Sequence, residues 1–444
     1  MNTPSWIHPE CPDWRRLGPT APDAAVRALA DVADADEFAR KDAWSRGFSR
    51  RRLLAGGLGV GVASFAQQLV TTRVSYAAEA TGTLVVVFLR GAMDGLSVLV
   101  PASDPHLASA RPGIAVRSGL IRLDDRFGLH PALGALRPLV DAGRVGAVHD
   151  VSTPDLSRSH FQAQECLERG GSTSADQRGW LDRALEQSGP GTTFRGMSVT
   201  NNLTRSLLGT EGALVARSLD ALTVKTDKGM AERTRTALGR LYTGVDHPFA
   251  TQAQVALDAG AQLASIKEST TVSGSFPDNP FGRDLQMLAS LVVGGAAVRV
   301  ATVDVGGWDM HTQQGTVESG DMKNALTGLG GGLAAFFDAL GDKASTTTVV
   351  LMTEFGRRVQ QNASGGTDHG HGSLALLLGG GVRGGVHGRW GGLAPDALAS
   401  GDLPGANDFR NVLGEVVMKR MGLSAAEASS VFSGWKVDAP GVMA

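Results

Sequence analysis

From Thr83 onward, apolar runs of strand length alternate with amphipathic stretches. "TLVVVFL" is continuous and β-branched, the pattern of a strand covered on both faces. "VGAVHDV", "VRVATVDV", "TTTVVLMTEF" and "SLALLLGGGV" read the same way. Between them, "HPALGALRPLVDAGR", "SHFQAQECLERG", "PFGRDLQMLASLVVGG" and "DMKNALTGLGGGLAAFFDALGD" space their apolar residues at helical intervals. Strands alternating with helices predict an α/β fold, a three-layer sandwich with a largely parallel central sheet. The stretch 172–276 is expected to be a mainly helical insertion or cap over one edge. No Pro-, Gly- or Ser-rich linker and no internal repeat interrupts the rest, so residues 81–444 are expected to form one domain.

In an open parallel sheet, ligands bind beyond the carboxyl ends of the strands. The polar residues that follow each apolar run are therefore the place to look for chemistry. "RGAMDGLS" carries Asp94, and "VSTPDLSRSHF" carries Ser157, Ser159 and His160 just after His149 and Asp150. "GGWDMHTQQG" carries Asp309 and His311, and "TEFGRR" carries Glu354 and Arg357. "GTDHGHGS" carries Asp368, His369 and His371 directly before the last apolar run. Five such segments are expected to converge on one sheet edge, with Asp94, Asp309, His311, Glu354 and His369 around one cavity rim. Carboxylates mixed with imidazoles suit zinc, manganese or iron, whereas carboxylates alone suit magnesium or calcium. Taken singly, a strand-end aspartate such as Asp94 more often caps the next helix than binds a metal. A serine at a helix start faces free N–H groups and the positive end of the dipole, where an alkoxide or tetrahedral anion is stabilised. Ser157 or Ser159 is thus a candidate nucleophile. The alternative is simple capping, with Gln162 closing a capping box on Ser159.

Composition changes the picture in two places. The chain has 42 basic and 44 acidic residues in 444, which gives no overall electrostatic reason to expect a nucleic-acid partner. The one concentrated positive run, "RGFSRRRLL", contains the twin-arginine pattern Arg50-Arg51-Arg52-Leu53-Leu54. The glycine-rich stretch after it is too weakly apolar for a stable membrane anchor, which needs about 20 strongly apolar residues. "YAAEA" then supplies a small-x-small cleavage pattern ending at Ala80. Residues 1–80 are expected to be a twin-arginine signal peptide and leader, routing the folded protein through the twin-arginine translocase to the periplasm or outside. The alternative is an arginine-rich surface helix. The lead-in before Arg50 is long for such a signal; it is either an extended leader or the product of a start codon assigned too early. Cys11 falls in the leader and leaves Cys166 alone, expected as a buried structural cysteine.

The segments "FLRGAMDGLSVLVP", "DLSRSHFQAQ", "GGWDMH", "TEFGRRVQQN" and "GTDHGHG" resemble the uncharacterised-domain family numbered 1501, exported bacterial proteins grouped with the alkaline phosphatase-like superfamily. The resemblance implies an alkaline phosphatase-like sheet with two metal ions around a nucleophile. Asp94-Gly95 looks like the ligand pair after the first strand, and Asp309 with His311 looks like the later Asp and His ligands. Thr367-Asp368-His369 looks like the final histidine segment, with Asp368 as ligand or orienter and His371 as a supporting or substrate-facing group. At the "T-x-Asp-His" position the chain reads Thr353-Glu354-Phe355, so Glu354 replaces the aspartate and Phe355 removes a nitrogen ligand.

These observations lead to an exported metal-dependent hydrolase acting on a small anionic phosphate or sulfate ester. Its metal ligands are Asp94, Asp309, His311, Glu354, Asp368 and His369, and its cofactor is a divalent ion such as zinc, manganese or calcium. Its catalytic candidates are Ser159, Ser157, His160 and Arg357, the last as a clamp on the substrate anion. The alternative is a non-catalytic exported binding or assembly protein that keeps the fold. A nucleotide-binding dehydrogenase is excluded, because no G-x-G-x-x-G opens a helix after the first strand.

Overall fold

Successive side chains of a strand point to opposite faces, so a strand apolar at every position must be covered on both sides. The computed structural model shows this in β1 (Thr83–Leu89). Val85, Val87 and Leu89 enter one hydrophobic cluster, while Leu84, Val86 and Phe88 enter another on the opposite face. The structure describes residues 82–171, 177–209, 212–222 and 272–444, with shorter stretches between 236 and 270. The expected signal and leader, 1–80, lie outside the described residues.

Along the chain follow β2 (Leu99–Pro101), β3 (Ile121–Arg122), β4 (Phe127–Leu129), β5 (Val145–Ser152), β6 (Gly196–Val199), β7 (Leu214–Val215) and β8 (Val300–Val305). The last four are β9 (Thr347–Met352), β10 (Ser373–Gly379), β11 (Gly385–His387) and β12 (Asn407–Asp408). The central sheet has nine described strands in the order β11-β5-β10-β9-β1-β8-β6-β7, with β12 also on β5. β1 lies parallel between β9 and β8, in register through Val86↔Val350 and Val86↔Thr302. β10 alone runs antiparallel, against both β5 and β9. The sheet is thus mixed and largely parallel, as expected. β2, β4 and β3 form a second, small antiparallel sheet.

Helices cover both faces. Helices α1 (His160–Glu168), α2 (Trp180–Gln187), α3 (Pro280–Val293), α4 (Asp321–Leu340), α5 (Phe409–Met421) and α6 (Ala425–Val431) are the longer ones described. α3 and α4 pack on the Val85–Val87 face, and α2, α5 and α6 on the Leu84–Val86 face. α3 starts where its sequence says it should: Asn279 accepts from the Gly282 N–H, and Pro280 at the first position lacks a donor that would go unused. Among the described residues no helix is long and apolar enough to cross a membrane.

Three expectations change. The run 131–141 is not one helix. A 3-10 segment, Pro131–Leu136, kinks at Leu133, and Pro138, with no N–H to continue it, begins a separate turn over Arg137–Asp141. Nor is 172–276 only a helical cap, because β6 and β7 extend the central sheet; much of 223–271 lies outside the described residues. Cys166 is free and half-buried rather than fully buried.

Two buried imidazoles make the fold acid-sensitive. Burial takes His149 from 6.5 to about 4, against the opposing hydrogen bond to the Leu99 carbonyl. Burial, with the Lys323 charge, does the same to His130. Both are neutral in the fold, and the unfolded chain takes up the protons. Their stabilisation is therefore complete above pH 6.5 and is lost as pH falls toward 4. For His149 this amounts to roughly 3 kcal/mol at most. Asp150, pushed up to about 6 by burial, works in the opposite direction and offsets part of it. Urea denaturation between pH 7.5 and 4.5 should show falling stability, and His149→Gln should flatten that slope. Parallel pH profiles for the two proteins would assign the acid sensitivity elsewhere.

Candidate metal centre

β1, β5, β8 and β9 point the same way, so the segments leaving their carboxyl ends reach one edge of the sheet. β10 runs the other way, and the histidine segment before it arrives at that same edge. The expected convergence of five segments is thus achieved by four strand exits and one strand entry.

His160, Asp309 and His369 meet there, with one ligand atom from each within 4.8 Å of the others. The His369 Nε2 lies 3.1 Å from the His160 Nε2 and 3.2 Å from the Asp309 Oδ1. His311 adds a third imidazole: its Nε2 is 3.1 Å from the His369 Nε2 and 3.0 Å from the Asp309 Oδ1. The opposite nitrogen of each ring is already committed. The Nδ1 of His160 donates to the Glu354 Oε1 at 2.7 Å, that of His311 to the Asp368 Oδ1 at 3.2 Å, and that of His369 to the Arg158 carbonyl at 3.0 Å. A carbonyl or an ionised carboxylate can only accept, so each Nδ1 carries a proton and each Nε2 faces the centre. A cation bound there would take the Nε2 lone pairs of the three rings, displacing any proton they carry, together with the Asp309 carboxylate. Three nitrogens and one oxygen, each ring oriented from behind, form a donor set suited to zinc, manganese or iron.

The surroundings hold these groups in place. Burial alone would raise the Asp309 carboxyl, but hydrogen bonds from Arg357 and His369 and the charges of Arg357 and His311 bring it to about 2. Glu354 is also buried, which would raise it; hydrogen bonds from its own backbone, Gln164, His160 and the Gly91 N–H hold it below the ordinary carboxylate range. Two glycines permit the close approach. A Cβ on Gly91 (φ +117°) would sit 2.7 Å from the Asp309 backbone nitrogen, and one on Gly370 would sit 2.5 Å from the Arg357 backbone.

Asp309, His311 and His369 gather as expected. Glu354 and Asp368 come to the same place but stand behind the imidazoles, orienting His160 and His311. Asp94 does not join them. It is buried in a bidentate ion pair with Arg111 at 2.5 and 3.0 Å and also accepts from Ser97 and Gln314. Burial opposes its ionisation, but Arg111 outweighs this and holds Asp94 below its ordinary value. Arg357 is not placed to clamp an anion: its side chain is fully buried and all five N–H groups are taken. They reach the carbonyls of Gly91, Ala92 and Thr367, the Asp309 carboxylate at 2.6 Å and the His311 Nε2 at 3.4 Å. The Ser157 hydroxyl donates to Asp155. Ser159 is the N-cap of α1, yet its side chain makes no capping bond, so the alternative of a capping box with Gln162 is not formed. His371 is half-buried, and burial lowers its pKa. His160 had stood among the catalytic candidates, and its ring belongs to the candidate metal group. The signal for this was its place, since His160 is an imidazole within one of the strand-end segments. Nothing in the sequence pointed to Arg111 as the partner of Asp94.

Fold and site together define an α/β protein with a candidate metal centre at the carboxyl edge of its sheet. The family model described as "Protein of unknown function (DUF1501)" matches residues 126–403, well over half of the chain, and the chain belongs to that family. Comparison with curated proteins gives no match.

Zinc titration calorimetry and metal analysis test the centre. Asp309→Ala or His369→Ala should abolish tight binding, whereas Asp368→Asn, which only loosens the orientation of His311, should weaken it about 10- to 100-fold. Wild-type affinity in the Asp309 variant would rule the centre out. Separately, Arg111→Met leaves Asp94 buried without its cation and should cost about 3–5 kcal/mol in chemical denaturation. A negligible loss would mean that Asp94 is stabilised by other groups.

Proposed function

We propose that this chain is an exported, metal-dependent hydrolase acting on phosphate or sulfate esters, built on an alkaline phosphatase-like scaffold. The observation that carries this reading is the convergence of three imidazole Nε2 atoms and the Asp309 carboxylate beside a free serine. The Ser159 hydroxyl makes no hydrogen bond among the described residues. Its neighbours on both sides touch His369: the Arg158 carbonyl accepts from the ring, and the His160 ring lies 3.1 Å from it. The backbone at Arg158 is held in the left-handed region (φ +55°), strain of the kind that collects at functional sites.

A divalent ion bound to His160, His311, His369 and Asp309 would supply Lewis-acid polarisation of an ester oxygen. The donor set is that of a single ion, because Asp94 is neutralised by Arg111 and Glu354 is committed to His160. The Ser159 Oγ would form the new bond to phosphorus or sulfur as the ester oxygen departs. The serine proton would leave with the departing alcohol, and water would then release the anion from the serine. Arg357 keeps Asp309 ionised and fixed during these steps. The twin-arginine segment supports export through the translocase to the periplasm or beyond, without a stable membrane anchor and without a nucleic-acid partner.

One observation favours the second reading, a non-catalytic exported protein that retains a single metal: Arg357 has no N–H free to meet a substrate anion. Metal analysis of the purified protein followed by chromogenic phosphate and sulfate esters separates the two. The hydrolase reading expects bound metal and turnover, with both lost in Asp309→Ala and turnover alone lost in Ser159→Ala. Bound metal with no turnover of any ester would favour the non-catalytic reading.

A further inference from the structure

A cavity of about 420 Å³ opens beyond the carboxyl ends of β6 and β8. It shares a wall with the candidate metal centre. His160, Gln164 and Glu168 stand four residues apart on α1, so they lie along one stripe of that helix. The first belongs to the centre and the third lines the cavity. Gln164 serves both: it lines the cavity while its amide N–H donates to Glu354, the carboxylate that orients His160. Each step along the stripe is about 6 Å, so a ligand in the cavity lies within one small molecule's reach of the centre.

The lining excludes most ligand classes. Its cations are matched: Arg90 pairs with Glu168 at 2.6 Å and Asp304 at 3.0 Å, Arg217 grips Asp284 through two bonds at 2.9 and 2.6 Å, and Arg205 reaches Glu165. Among the described residues of the lining, no cation is left for an anion, and no carboxylate is left without its arginine for a cation. Among the described residues of the lining, Val199 and Leu203 are the only apolar side chains and no aromatic ring joins them, so an apolar group gains little. What remains is hydrogen-bonding capacity. The second oxygen of Asp304, the amide of Asn201 and the Gln164 side-chain oxygen make no hydrogen bond among the described residues. The Gln164 oxygen is the free end because Glu354 can only accept. Acceptors and an amide donor without net charge match hydroxyl groups, which donate and accept together.

We propose that this cavity is a subsite for a neutral polyhydroxylated group, a sugar or polyol, carried by the ester whose anionic end reaches the metal centre. The subsite deepens the hydrolase reading and rests on it for the ester, though not for binding of the polyol itself.

Calorimetry of the full chain with methyl glucoside, mannitol and glycerol tests binding without any turnover. Saturable binding of one of the larger polyols is expected, with Asn201→Ala, an exposed position that should fold normally, losing about tenfold. In kinetics, the same variant should raise KM for a sugar phosphate or sugar sulfate more than for a chromogenic ester. No polyol binding together with an unchanged KM ratio would overturn the subsite, and turnover of the chromogenic ester would still uphold the hydrolase. Polyol binding with no turnover of any ester would uphold the subsite and defeat the hydrolase.

Discussion

The guanidinium of Arg357 ties the functional edge of this sheet together. It sits in the segment after β9 and bonds to Gly91 and Ala92 after β1, to Asp309 after β8 and to Thr367 before β10. A buried cation is tolerable only where every N–H finds an acceptor, and here four strands must be in place before that condition is met. Assembly of the centre is therefore tied to assembly of the sheet. The same contact fixes the carboxylate at the middle of the candidate metal group, so one side chain sets both the geometry and the charge of the site.

Around that anchor the polar groups are arranged in depth. The imidazoles face inward with their Nε2 atoms, and Glu354, Asp368 and the Arg158 carbonyl hold them from behind. Phe355 forms an apolar wall, its ring 5.0 Å from both the His160 and His369 rings. One of the three imidazoles, His160, is carried in by the first turn of α1.

The strands were legible because an all-apolar run of six or seven residues has few other uses, and β1, β5, β8, β9 and β10 fall where the runs fall. Direction was not legible: nothing in "SLALLLGGGV" distinguishes an antiparallel strand from its parallel neighbours, since both of its faces are buried either way. Capping was legible only in part. Ser424 and Glu427 form a capping box, while Ser159 and Gln162, with the same spacing, do not. The positions of Asp309, His311 and His369 at one site followed from strand-end reasoning. The roles of Asp94 and Arg357 did not, because their partners come from segments with no periodic signal, and a buried arginine reads in sequence like an exposed one.

The Asp94–Arg111 pair bears on how this part of the protein is made. A carboxylate at the end of the first strand needs a positive neighbour, and here the chain carries that neighbour in its own backbone connectivity, seventeen residues downstream. Such a counter-charge cannot be stripped by a chelator, diluted away, or replaced by an ion of the wrong element. The pocket around Asp94 is complete as soon as the polypeptide folds, whatever the mineral supply of the compartment it occupies.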